Sequence, residues 1–466
     1  MTEIALLPAS EQSRLIARGE LSPLELVEAC LARVEELNPR INAVCTLSDR
    51  ALDDAREATE ELARGGPRSP LHGLPVGIKD TTVTAGLRTT FGSPLYRDHV
   101  PAEDALVVER FRRAGAVILG KTNTPEFAAG GNTWNAVFGR TRNPWNPERS
   151  AGGSTGGGAA GLATGMISFA EGTDLGGSLR IPASFCGIVG LRPSPGLVPK
   201  HPCEDLWDDL EVTGTMARTA EDVALSLQAL AGPSRRSPVA QPTAGRDFVG
   251  AVHAGLGSGT QVAYCPDVAG IGVDGTVDRV CRRALDGLRA AGCEVTEVDF
   301  DLAFARPAFL ALRGLWMVTQ QHKHLDRVDE LGVNVAANTR AGLEVTTREL
   351  AAASHARDRV WELFRRLFER HDYLLTPTMA VPPFPVEENY PATVAGREME
   401  TYVDWIAPTF VLSLAGLPIG SVPAGLDPEG LPVGLQVVGR PRDEESVLTL
   451  AAAVQEACPV GLPKPE

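Results

Sequence analysis

Two serines lie in runs of glycine: Ser154 in GGSTGGGAA, which starts at Gly152, and Ser178 at the end of DLGGS, which starts at Asp174. Such runs can be a flexible linker, a loop that cradles phosphate, or a backbone shaped to bring hydroxyls and amide N–H groups together. A linker would carry no apolar residues, whereas GGSTGGGAAGLATGMISFA passes directly into a helix-like apolar pattern. The catalytic reading uses glycine for tight turns at positive φ and for close approach of a substrate carbonyl to the backbone. The amides of Leu175, Gly176, Gly177 and Ser178 can then converge as an oxyanion hole, with Ser178 as the natural nucleophile.

A serine hydroxyl needs a base. None of the eight histidines sits in a comparable turn; His72 lies seven residues before Lys79, and His322 and His324 fall in a helical stretch, so each reads as a surface or core histidine. Lysine can replace histidine once burial brings its pKa down from about 10.4 toward neutrality. Lys79 ends the apolar run of LHGLPVGIKD, where desolvation could supply that shift. Viewed alone, it reads more simply as a salt-bridged surface lysine.

One motif points elsewhere. GAVILGKT, from Gly115 to Thr122, matches the phosphate-loop pattern GxxxxGK[ST]. That pattern works only as a loop whose amides face phosphate and which opens a helix. Here the intervening residues are Ala, Val, Ile and Leu, a buried strand, and Pro125 follows too soon for a helix.

The elements that must position these residues alternate along the chain. SPLE at Ser22 signals a capped helix, and a second helix is expected over 51–63. LHGLPVGIKD reads as a strand and turn, EDALVVERFRRAG as a helix, AVILG as a strand and KTNTPEF as a polar loop. Residues 161–192 read as a helix, a glycine-rich turn and a short buried run, CGIVGL. QVAYCPDV and CEVTEVDF read as strands around an amphipathic helix. The pattern turns mainly helical from 304 to 368, and strands return at YLLTP, PIGSVPAG and PVGLQVVG. Strands that return after a helical excursion imply one sheet with an inserted helical layer.

Four ordered blocks, LHGLPVGIKD, GAVILGKTNTPEFA, GRTRNPWNPERSAGGSTGGGAA and EGTDLGGSLRIPASFCGIVGLRPS, resemble the signature of the amidase signature family of serine hydrolases. The likeness is dense from about 71 to 195 and thinner through TGTMARTAEDVAL and LPVGLQVVG. It implies a single large α/β domain over 1–466, with a mixed, mainly parallel twisted sheet covered by helices on both faces. Within it, a signature core would span about 71–230 and a variable, mainly helical substrate side about 304–410. The resemblance implies a triad of Ser178 as nucleophile, Ser154 as bridging serine after a cis peptide bond, and Lys79 as base. It also implies that Asp174 and Arg180 shape the nucleophile loop. Thr155 stands where a second serine is common, its hydroxyl within reach of the lysine, and Ala128, Ala129 and Gly130 would meet the substrate. GLRPSPGLVPK and TGTM depart from the usual pattern, at the rim and not in the triad.

The implied reaction is hydrolysis of a carbon–nitrogen bond through an acyl-enzyme, with esters and carbamates as further candidates and a bulky or aromatic substrate expected. Trp316, Met317, Tyr402 and Trp405 are its candidate contacts, although Trp and Met at helical spacing are more often core residues. A glutaminase subunit of a transfer-RNA-dependent amidotransferase and a non-catalytic binding protein of the same fold are the alternatives. No cofactor or metal is required. A net charge of −15 without a basic run excludes a nucleic-acid partner. MTEIALLPASEQ lacks a basic and apolar leader, and Phe410–Leu426 is short and broken by Pro418 and Pro423, so neither secretion nor a membrane span is expected. Eight cysteines without CxxC pairs read as reduced thiols of a cytoplasmic protein. The expected partner is a small-molecule amide, and a homodimer is compatible with this reading.

Overall fold

The signal at Ser22 produces the helix Pro23–Ile41. The Glu25 amide donates to the Ser22 side chain, the Ser22 amide donates to the Glu25 carboxylate, and Pro23 takes the first helical position. This helix belongs to a computed structural model that describes residues 2–464. The strands of the main sheet are β1 (Val44–Leu47), β2 (Pro75–Lys79), β3 (Val117–Thr122), β4 (Phe169–Asp174), β5 (Val189–Arg192), β6 (Val212–Ala217), β7 (Gln261–Tyr264), β8 (Glu294–Glu297), β9 (Tyr373–Pro377), β10 (Ile419–Leu426) and β11 (Pro432–Val438). They form one sheet in the order β1-β3-β2-β4-β6-β5-β10-β11-β9-β7-β8.

The sheet is mixed. Parallel pairing occupies two blocks, β3-β2-β4 and β9-β7-β8. The β1 edge and the run from β4 to β9 are antiparallel. The expected predominance of parallel neighbours therefore holds in those blocks and not in the centre. The tight turn from Asp427 to Gly430 shows why: a connection this short can only return a strand antiparallel.

Alternation along the strands divides the core. Val433, Leu435 and Val437 of β11 join one apolar cluster with Val280 and Val454 of the helices Gly275–Ala290 and Glu444–Ala457. Val438 joins another with Phe309, Phe364 and Phe410 of the helices Arg306–Gln320, Thr347–Leu367 and Ala407–Ser413. Helices thus cover both faces, as side chains of period two require.

Two local readings change. The stretch 161–192 holds β4 over FAEGTD and a helix over Arg180–Cys186, in addition to the helix Gly156–Ala163 and β5. β4 has no apolar alternation because it is buried inside the sheet, with its polar side chains partnered. The region from 304 to 410 is mainly helical only as far as Leu367, after which β9 begins at Tyr373. All eight cysteines are free thiols.

Candidate active site

β3, β2 and β4 run parallel as neighbours, so their C-terminal ends open on the same edge of the sheet. From β3 the chain enters the loop that carries Ala128, Ala129 and Gly130; β2 ends on Lys79; β4 ends on Asp174 and leads into LGGS. β6 starts beside this edge, with Val212 opposite Asp174, which places the preceding Glu211 there too. Segments distant in sequence are gathered by register alone.

Lys79 is fully buried, and its Nζ donates to Ser154 Oγ at 2.7 Å and to Thr173 Oγ1 at 3.1 Å. Burial pulls its pKa down to about 8 against the opposing charges of Glu211, Glu171 and Asp174. It is not the salt-bridged surface lysine of the simpler reading. The Gly153–Ser154 peptide is cis. Ser154 is also buried, whereas Ser178 is half-buried and lines a cavity with Gly153, Gly176 and Thr173. Of the two serines, Ser178 is the one a substrate can reach.

Thr155 does not reach the lysine. Its Oγ1 is buried without a partner, its side chain packs against Gly172, and its amide donates to Ser178 O at 3.2 Å. Thr173, one strand-repeat after Glu171, takes that place. The helix that follows packs closely at Gly157, where a Cβ would stand 2.3 Å from the Asn123 amide nitrogen.

Asp174 anchors the nucleophile loop. Its carboxylate accepts from the Gly177 amide at 2.9 Å, the Leu179 amide at 3.2 Å, and Arg180 Nη2 and Nε at 2.9 and 3.0 Å. Burial would raise this carboxyl, but the Arg180 and Arg192 guanidinium groups and these donors hold it well below the usual range. Arg180 is fully buried and spends its remaining donors on Thr409 O, Gln436 Oε1 and Ser413 Oγ, at 2.7–2.8 Å. Arg192 donates to Asp174 O and, at 2.9 Å, to Leu210 O. Asp174→Asn should cost about 3–5 kcal/mol of stability, because two buried guanidinium groups lose their counter-charge; urea unfolding measures it.

The same contacts revise the oxyanion reading. The Gly177 amide, one of the four expected oxyanion donors, donates to Asp174 Oδ1. Gly177 instead supplies φ of +123°, in the region that favours glycine.

Ala128, Ala129 and Gly130 line the Ser178 cavity, with Ala128 at φ +60°. Trp316, Met317 and Tyr402 line it as well. Trp405 does not: it is fully buried, stacked on Phe185 and edge-on to Phe384. His72 is a core residue whose Nε2 pairs with Ala58 O at 2.8 Å. Lys121, the lysine of GAVILGKT, lies in β3 and donates to Thr82 O and to Thr84 Oγ1, so the run is a strand with its lysine sealed inside. Glu171, Thr173, Arg192 and Glu211 are the site residues that sequence reasoning missed. Only the alternation of Glu171 and Thr173 in FAEGTD was a usable signal.

A buried lysine joined to one serine, beside a second serine at a cavity, can perform serine-hydrolase chemistry without histidine. Residues 25–448 match the family model Amidase, and the chain belongs to that family. It is 34% identical to an acylamidase of Rhodococcus erythropolis, over 100% of this chain and 98% of that protein. It is 35% identical to a glutamyl-tRNA(Gln) amidotransferase subunit from Carboxydothermus hydrogenoformans, over 97% and 98%. The crystal structure of a bacterial aryl acylamidase belonging to the amidase signature enzymes superposes with a TM-score of 0.89 at 27% identity, covering 97% of this chain and 96% of that one. The protein is an amide-hydrolysing enzyme. No helix among the described residues is long and apolar enough to cross a membrane.

Proposed function

We propose that the protein cleaves amides through an acyl-enzyme on Ser178, with Ser154 and Lys79 as its proton relay. The observation that carries this reading is the 2.7 Å contact between the buried Lys79 Nζ and Ser154 Oγ. As Ser178 Oγ attacks the carbonyl carbon, its proton passes to Ser154, whose own proton passes to neutral Lys79. The amides of Leu175, Gly176 and Ser178 hold the oxyanion. The relay then runs backward to protonate the leaving nitrogen, the C–N bond breaks, and water hydrolyses the ester formed on Ser178. Neither a metal nor a cofactor enters this sequence.

The Ser178 cavity is narrow, about 30 Å³, and shares Phe127, Ala128, Thr173, Glu211 and Trp316 with a larger one of about 400 Å³. One side of the scissile bond thus faces little space, and the other has room for a bulky or aromatic group. A panel of purified chain with anilides, aliphatic amides, carbamates and esters tests this. The highest kcat/KM should fall on an amide with one small and one aromatic side, and absence of amide turnover would overturn the reading.

The relay needs neutral Lys79, which fixes the sign of the pH dependence. Below the lysine's pKa, kcat/KM for an uncharged anilide should rise about tenfold per pH unit, bending to a plateau above about pH 8. A profile that is flat from pH 6 to 9 would remove Lys79 from the rate equation.

A second reading rests on the similarity to the amidotransferase chain over nearly the whole length of this one. In it the protein would release ammonia from glutamine for a partner. Turnover of simple amides by the chain alone, without glutaminase activity, excludes it.

A further inference from the structure

With Lys79 neutral, as the relay requires, the larger cavity has a charge that its own side chains do not cancel. Phe91, Tyr96, Phe127 and Trp316 supply aromatic wall, and Glu211 stands where it meets the Ser178 cavity. Among the charged groups facing this space, Lys323 is neutralised by Glu204 at 2.6 Å. Glu171 has both carboxylate oxygens occupied, by the Lys79 amide and the Thr82 hydroxyl. Lys200 is shared between two acids, lying 2.6 Å from Asp208 Oδ2 and 3.3 Å from Glu211 Oε2. One cation thus serves two carboxylates, and among the described residues Glu211 Oε1 has no donor, its partner Lys200 reaching Oε2. Two buried polar atoms on the lining, Thr81 Oγ1 and His201 Nδ1, lack partners among the described residues.

This cavity lies on the relay side of Ser178. Thr173, which accepts from Lys79 Nζ, lines both cavities, and Glu171, which accepts from the Lys79 amide, lines the larger one and not the Ser178 cavity. The leaving nitrogen must face the relay that protonates it, so the amine portion of the substrate extends into the larger space.

We propose that Glu211 makes the larger cavity a subsite for an amine portion that carries a cation, an ammonium or amidinium group on an aromatic or alkyl body. The aromatic walls receive the body, and attract the cation through their ring faces. Glu211 Oε1 accepts from the charged N–H, a bond stronger than one between neutral groups. Thr81 Oγ1 and His201 Nδ1 offer further polar contacts.

This inference rests on the hydrolytic reading for its orientation, so its test includes a measurement that needs no turnover. Calorimetry at pH 8.5, where Lys79 is mainly neutral and benzylammonium still mainly charged, compares benzylammonium with benzyl alcohol, its neutral counterpart, on the full chain. Benzylammonium should bind at least about tenfold more tightly. Glu211→Gln should bring the two to within about twofold, whereas Lys200→Met, which leaves both acids unpaired, should widen the preference several-fold. The kinetic counterpart is the ratio of kcat/KM for N-[4-(aminomethyl)phenyl]acetamide over N-(4-methylphenyl)acetamide, expected near tenfold and lost in Glu211→Gln. The ratio cancels any general effect of Glu211 on Lys79. Selective binding of the ammonium with no turnover of either amide would sustain the subsite and sink the hydrolytic reading. Turnover of both amides at equal kcat/KM, or an unchanged ammonium preference in Glu211→Gln, would overturn the subsite alone.

Discussion

Ser178→Ala should lower amide turnover by ~10⁴-fold or more while leaving the protein folded, because it removes the atom that the proposed mechanism acylates. The side chain is half-buried, so truncating it opens no core cavity. Asp174 still fixes the loop through Arg180, Gly177 and Leu179. A fluorophosphonate probe should label the wild-type chain once, on Ser178, with loss of fluoride, and should not label the variant. Labelling at Ser154 instead would exchange the roles of the two serines. No labelling, combined with no turnover of amides, esters or carbamates, would favour a binding protein that has kept the fold.

Lys79→Ala should reduce cleavage of an anilide by about 10³–10⁴-fold and that of the matching ester by distinctly less. On the proposed relay an amine cannot leave without the proton that Lys79 returns through Ser154, whereas an alkoxide or phenoxide leaves more readily. Equal losses on both substrates would confine Lys79 to activating the nucleophile, and full amidase activity would remove it from the mechanism. Lys79→Met separates chemistry from folding. The lysine pKa is about 8 in the folded chain against about 10.4 for a free side chain, so its charge opposes folding. That cost is fully present below about pH 8 and fades as the pH rises toward 10.4. The methionine variant should therefore be inactive yet more stable, with its largest gain in urea midpoint below pH 8.

Much of this protein was legible locally. Ser22 and Glu25 announce a helix start because a capping box is made by residues three apart. GAVILGKT was recognisable as a strand because four consecutive apolar residues cannot form a phosphate loop. The glycines around Ser154 and Ser178, with Lys79 at the end of an apolar run, pointed to a lysine-dependent serine site, and the fold gathers these residues at one edge of the sheet.

What was not legible depended on which strands became neighbours. The Lys79 amine finds Thr173 across 94 positions of sequence, not the nearby-looking Thr155, because β2 and β4 pair and Thr155 is turned against Gly172. FAEGTD looked like a turn, since its acids mask a strand whose partners lie elsewhere in the chain. Glu211 entered the site only through the pairing of Val212 with Asp174, and Trp316 and Trp405 were indistinguishable until packing put one on a cavity and the other in the core. By itself the sequence determined the family, the fold class and the candidate reactive residues, because glycine conformation, capping and apolar runs are short-range properties. Tertiary structure alone decided the lysine's second partner, the hold of Asp174 on the Gly177 amide and the sharing of Lys200 between Asp208 and Glu211, because each is set by groups brought together only when the sheet closes its register.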